Sequence, residues 1–390
     1  MKKGRLIISA FGISPPGTMG GNSKIALELA RYVSEYTDVH IFLQEYKIKT
    51  ILDNLPKSAT LHIHSVSDYP RDFIVRPISS TLHFYRFMLR ELSSMGVNKD
   101  DFIYACSDYH ADILPLKLLR KKLQFTWVAS FFLFVPGFFE NIHKRYGFPK
   151  FKYALCWIYQ RFLFSILCRN ADCFIITNES DKQEFPERLR KKVFPFYGGV
   201  NVNQIPDDAV KKTRDAVYCS RLHPQKGLLK FLDAWRLVLQ KCPDARLSVI
   251  GNGDMKYETE LHSRAEELGI DGTIEWLGYV NNREKYEIYR SSKVLVHTTV
   301  FDNNGMVAAE ALCSGLPVVM FDLPALRDVY TVGCIKIPFG DYKAFADAVV
   351  DRIVSPIALE TKEIEELRSK WDWNNRCEMM MKWLESVREN

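Results

Sequence analysis

The chain has 390 residues, 47% hydrophobic and 26% charged, which excludes a disordered protein and is too long for one ordinary core, so two domains are expected. Its formal charge of +6 is unevenly spread: residues 1–200 carry 28 Lys and Arg against 18 Asp and Glu, residues 201–390 carry 25 against 29. The basic first half suits contact with an anionic phosphate, membrane surface or nucleic acid, or is simply a basic surface.

Along the chain the pattern is strand then helix. The opening run RLIISAF (5–11) reads as a strand rather than a signal peptide, because it soon meets glycine and proline. NSKIALELARYVSEY (22–36) has helical periodicity, with Asn22 or Ser23 placed to cap it. Further strands are expected at 38–44, 101–107, 124–130 and 172–178. Glycine, proline and asparagine cluster over 194–212, which marks a hinge. Beyond it, short apolar strands are expected at 215–220, 245–251, 273–278, 293–299 and 316–322, most of them separated by helices. The tail WDWNNRCEMMMKWLESVREN reads as a helix able to pack back on the first domain. Short apolar strands alternating with helices imply an α/β fold of two doubly wound parallel sheets, with ligands at the carboxyl ends of the strands in a cleft between domains. Nine scattered cysteines without CxxC or Cys/His spacing fit reduced thiols in a cytoplasmic protein.

Three loops after expected strands hold residues suited to chemistry. In GISPPGTMGGNSK, Gly20 and Gly21 stand at a helix entry, where backbone can approach an anion closely; a plain loop explains them equally well. In CSRLHPQKG, Arg221 and Lys226 flank a proline and could clamp a diphosphate, or be two solvated cations. In FDNNGMVAAEALCSGLPVV, Gly305, Met306 and Val307 would form the first turn of a helix with N–H groups free for phosphate. Asp302 precedes that turn and Glu310 follows it, so the two acids would project to opposite sides of the phosphate and accept hydrogen bonds from paired hydroxyls. The plainer reading makes Asp302 a helix cap and Glu310 a solvated residue.

SRLHPQKG, VIGNGD, LGYV and DNNGMVAAEALCSGLPVV occur in this order over about residues 215–330, and together they resemble the donor domain of the family-4 retaining glycosyltransferases, which have the GT-B fold. The Gly-Gly loop and the tail extend the resemblance more weakly to most of the chain. It implies an acceptor-side Rossmann-like domain at 1–197, a donor domain at 198–368 and a returning C-terminal helix at 369–390. It further implies that Arg221 and Lys226 hold the donor diphosphate with the backbone of Asn304 to Val307, and that Glu310 holds the ribose hydroxyls. Asp302, where the family usually has glutamate, would contact the transferred hexose. Gly278 and Tyr279 of LGYV would lie against a uridine or guanosine base, and Gly20 and Gly21 would approach the phosphates. No metal or other cofactor is implied, and the leaving phosphate itself would accept the acceptor's proton. Many relatives carry a histidine just after the strand that is here WVASFFLF; this chain has Ser130, Phe131 and Phe132 there, and His110 and His143 read as surface or packing residues. A catalytically silent nucleotide-sugar-binding protein and a nucleotide-sugar epimerase of the same fold remain the alternatives.

Residues 125–164 hold 15 of the 50 aromatics, interleaved with Lys144, Arg145, Lys150, Lys152 and Arg161. The longest uncharged stretch there, 123–139, is short for a membrane span. Either a buried strand and helix or a peripheral membrane surface accounts for it. Since the first domain of this fold usually binds the acceptor, a glycan or lipid-linked acceptor is implied; no nucleic-acid module is found.

Overall fold

In the computed structural model, residues 4–16, 19–67, 77–135, 150–208 and 210–389 are described. The chain divides into two compact units, Met1–Gly198 with Arg376–Asn390, and Gly199–Asn375.

The first unit is built on a parallel sheet of seven strands in the order β3-β2-β1-β4-β5-β6-β7. These are β1 (Leu6–Ser9), β2 (Val39–Gln44), β3 (Leu61–Val66), β4 (Phe102–Ala105), β5 (Thr126–Ser130), β6 (Cys173–Ile176) and β7 (Val193–Pro195). The inner strands are short apolar runs buried on both faces, as a sheet covered by helices requires. Helices Gly21–Val33, Pro77–Ser94, His110–Leu119 and Lys150–Asn170 supply the cover. Chain order reverses between β1 and β4, so the loops leaving those two strands diverge to opposite faces and open a crevice.

The second unit repeats the plan with six strands in the order β10-β9-β8-β11-β12-β13. They are β8 (Arg214–Cys219), β9 (Leu247–Ile250), β10 (Ile274–Gly278), β11 (Ser292–His297), β12 (Val318–Phe321) and β13 (Cys334–Ile337). Every neighbouring pair is parallel, and the reversal lies between β8 and β11. The α/β class with two doubly wound parallel sheets is therefore as the sequence implies.

Three strands escape the sequence reading: β3, β7 and β13. All lie at sheet edges and are partly exposed, so none shows a buried apolar run. The first helix also begins differently. Gly20 occupies its N-cap position and no side chain caps it, while Ser23 Oγ accepts instead from the Ser14 N–H at 2.8 Å. Among the described residues no helix is long and apolar enough to cross a membrane.

Candidate active site

The loops after β8 and β11 flank the reversal point of the second sheet, and they are stitched together. The Val300 N–H donates to the Gln225 carbonyl at 3.0 Å and the Gln225 side chain donates to the Phe301 carbonyl at 2.7 Å. Thr298 Oγ1 donates to the Lys226 carbonyl at 2.9 Å. Gly227 closes the first loop at φ 74°, where a Cβ would lie 2.1 Å from the Thr298 carbonyl oxygen. Only a residue without a side chain lets the two loops meet so closely.

This stitching fixes an ion pair. Lys226 Nζ lies 2.6 Å from Asp302 Oδ2, with the two side chains 19% and 16% exposed. The other oxygen of Asp302 accepts from the N–H groups of Asn303 at 2.9 Å and of Asn304 and Gly305 at 3.3 Å. Burial pushes this carboxyl up, but the Lys226 charge, His297 and these hydrogen bonds outweigh it and hold it well below the usual carboxylate range. Asp302 is therefore an anion at any working pH. His297 Nε2 lies 3.9 Å from it; burial lowers that histidine to about 4 despite the attraction of Asp302.

The turn after Asp302 is held from below. The Tyr330 hydroxyl bonds to the carbonyls of Asn304 and Gly305 at 2.7 and 2.8 Å, and its ring stacks on Trp371 at 5.4 Å between centroids. Gly305 adopts φ 59° as the N-cap of helix Met306–Cys313, not as part of its first turn, and no side chain caps that helix. Because the Gly305 N–H is taken by Asp302, the amides left to an incoming anion are those of Met306 and Val307. Asn304 Oδ1 is buried and has no hydrogen-bond partner, as a group awaiting a donor would be.

The remaining expected residues separate into distinct surroundings. Arg221 is exposed and makes no ion pair among the described residues. Glu310 does not stand as a free acid opposite Asp302, but binds Lys285 of helix Asn282–Ser291 at 2.8 Å. Lys285 is a functional candidate that sequence reading passes over, because NREKYEIYRS looks like an ordinary solvated helix face. Gly278 ends β10 and its carbonyl accepts from the Gly251 N–H at 2.7 Å; Tyr279 beyond it is 80% exposed.

In the first unit, Gly20 and Gly21 follow β1 at the reversal point of that sheet. A Cβ on Gly21 would meet nothing within 4 Å, leaving open space at the helix start. Asp112 braces the β1 and β4 loops. It accepts from Ser9 Oγ at 2.8 Å, from the N–H groups of Phe11 and Gly12 at 2.9 and 3.0 Å, and from Ser107. At the end of β5, Ser130 donates to the Ala105 carbonyl at 2.5 Å and Phe131 is fully buried, so neither faces solvent. His110 is buried and bonded to the Tyr159 hydroxyl at 2.6 Å. His143, Lys144 and Arg145 lie outside the described residues.

Residues 213–353 match the family model described as glycosyl transferases group 1. A phosphatidyl-myo-inositol mannosyltransferase of Mycobacterium leprae is 32% identical over 170 residues, which cover 42% of this chain and 44% of that protein. The alignment thus spans less than half of that relative. The O-antigen chain mannosyltransferase RfbU of Salmonella typhimurium is 21% identical over 97% of this chain and 99% of its own. Among solved structures, sucrose-phosphate synthase from Thermosynechococcus elongatus superposes with a TM-score of 0.79 at 15% identity, covering 98% of this chain and 99% of that one. Anabaena HepE in complex with UDP and glucose gives 0.69 at 15% identity over 98% and 99% of the two chains. The fold is GT-B, and the match to the group 1 glycosyl transferase model falls within its second unit.

Proposed function

We propose that this protein is a retaining, metal-independent glycosyltransferase that moves a hexosyl group from a nucleoside-diphosphate sugar to an acceptor hydroxyl. The observation that carries the reading is the part-buried Lys226–Asp302 pair, set at the sheet's reversal point beside an uncapped helix start. Relatives named as mannosyltransferases and a fold neighbour solved with UDP and glucose support it.

In this reading Lys226, Arg221 and the Met306 and Val307 amides receive the diphosphate. As the bond from the sugar's anomeric carbon to phosphate oxygen breaks, charge builds on the departing diphosphate. An ammonium already fixed by its own ion pair lowers that barrier without having to reorganise. The acceptor oxygen bonds to the anomeric carbon on the face just vacated, and its proton passes to the leaving phosphate. Asp302 and Asn304 contact the transferred sugar, Glu310 the ribose, and Gly278 and Tyr279 the base, with Gly20 and Gly21 approaching the phosphates. Thermal-shift titration of the protein with UDP, GDP and their sugars tests donor binding, since a ligand of the folded state raises the melting temperature by mass action. No shift with any nucleoside diphosphate would sink the reading. Labelled donor with a lipid extract then separates transfer from epimerisation and from silent binding.

The proposed acceptor is a glycan carried on a lipid. Its support is an apolar groove of about 390 Å3 in the first unit, lined by Ile78, Leu82, Leu114, Leu118, Tyr159 and Phe162. Ile78 is 78% and Phe162 58% exposed, an unusual display for a soluble surface. The named substrate of the mycobacterial relative points the same way. A cytoplasmic protein resting on the membrane face follows from this proposal. Co-sedimentation with anionic vesicles, lost in Ile78→Ser/Phe162→Ser, is the expected result; equal partitioning of the parent protein speaks against it.

A further inference from the structure

The nucleoside end of the proposed donor site holds a cation to which the mechanism above gives no part. Lys285 reaches from the second turn of helix Asn282–Ser291 to Glu310 Oε2 at 2.8 Å, and the two side chains are only 12% and 15% exposed. Asn282 Oδ1 lies 3.5 Å from the ammonium and the Tyr286 ring centroid 5.1 Å. Burial lowers the Lys285 pKa, yet Glu310, with Cys219 and Tyr279, raises it more, so it stays above an ordinary lysine's and the side chain is charged. Those neighbours place it between the end of β8, the exposed Tyr279 and the helix of Glu310.

A carboxylate that is to receive two hydroxyl hydrogens must be ionised and must keep one oxygen turned outward. A partly desolvated carboxylate with no counter-charge tends instead to take up a proton. Lys285 places its charge on Oε2, and Oε1 accepts from no described residue, which leaves that oxygen to turn outward. Stability alone does not call for such a pair, since apolar replacements of buried ion pairs are often as stable.

We propose that Lys285 is a positioning residue for donor recognition, holding Glu310 turned so that Oε1 receives the paired ribose hydroxyls. This rests on the nucleotide-sugar reading above. The test titrates UDP and GDP calorimetrically into the full chain and into Lys285→Met, Lys285→Arg, Glu310→Gln and the Lys285→Met/Glu310→Gln double variant, with melting temperatures alongside. Lys285→Met is expected to bind nucleotide about tenfold more weakly. Lys285→Arg should restore binding, and donor KM should rise in Lys285→Met with kcat unchanged. In the Glu310→Gln background, where Lys285→Met removes the remaining unpaired charge, Lys285→Met should cost nothing further in binding. A parent protein that binds neither nucleotide overturns the donor reading and this proposal together. A parent that binds, with Lys285→Met equal to it or equally harmful without Glu310, overturns this proposal alone.

Discussion

The residues that organise the candidate site are two carboxylates, each with its own lysine, and burial decides what those pairs do. Lys226 and Asp302 are held by loops already tied together, so little entropy is spent in presenting the cation to a phosphate. Lys226→Ala leaves the largely buried Asp302 without its partner and removes the charge proposed to meet the diphosphate. A loss of roughly 2–4 kcal/mol of transition-state stabilisation, about thirty-fold or more in kcat/KM, is expected. Initial rates with saturating acceptor measure it, and an unchanged kcat/KM would remove Lys226 from the chemistry. His297 tests the burial of the same site without substrate. Its pKa is lowered to about 4 by desolvation, against an unfolded value near 6.5, so the unfolded chain binds more protons between those limits. The stability it contributes is full above about pH 6.5 and is lost as pH falls towards 4, by up to roughly 3 kcal/mol. Urea unfolding at neutral and acid pH should show a smaller pH-linked loss in His297→Asn than in the parent. Equal losses would mean that this histidine is not the group responsible. Of these residues, Lys226, Asp302 and Glu310 could be picked from the sequence because glycine and proline mark their loops. Lys285 could not, because its partner is on another helix and the pairing depends on how the two helices lean together.

At the scale of elements, legibility follows burial. Strands β1, β4, β6, β9 and β12 are buried at every position and read directly as apolar runs. The edge strands β3 and β13 present one side to solvent, and LHIHSV and CIKI carry polar residues that break the run. Strand β3 pairs with β2 so that His40 and His62 stack at 4.6 Å and His40 Nδ1 meets His64 Nε2 at 3.0 Å. Burial and the neighbouring histidines lower His40 to about 4, and burial lowers His64 despite Glu91. Both folded values lie below the unfolded one, so this edge is most stable above about pH 6.5 and weakens as pH falls towards 4. Hydrogen-exchange protection of Leu61–Val66 should therefore fall faster with acid than that of the inner strand β1; parallel behaviour would contradict the assignment. The loop after β8 makes a second test of an element. Gly227→Ala forces a Cβ towards the Thr298 carbonyl at φ 74° and should cost roughly 1–3 kcal/mol while raising donor KM. A variant that melts and binds like its parent would show that the two loops are not latched there.

For the whole molecule, the instructive feature is where the last helix belongs. The chain builds its first unit, then its second, and the final residues Arg376–Asn390 group again with the first. Sequence suggests this only faintly, through an amphipathic tail; the reason lies in aromatic surface that the first unit leaves open beside β7. Trp383 stacks on Phe194 at 5.0 Å, and the Arg376 guanidinium lies 5.5 Å from the Phe196 ring and 5.1 Å from that of Tyr197. Cys377, Met380 and Leu384 of the same helix are fully buried. Three buried apolar side chains contribute roughly 1.5–3 kcal/mol each for the larger two and less for the thiol, a sizeable share of the stability of a domain of ordinary size. Deleting residues from Arg376 onward should thus destabilise the first unit while leaving the second to bind nucleotide. Hydrogen exchange resolves the two: protection should drop in β6 and β7 and persist in β8, β9 and β11, with UDP or GDP still protecting the 220–227 and 298–310 loops. If the deletion instead loosened the second sheet, the returning helix would be serving the donor domain, and the division of labour between the units argued above would have to be redrawn.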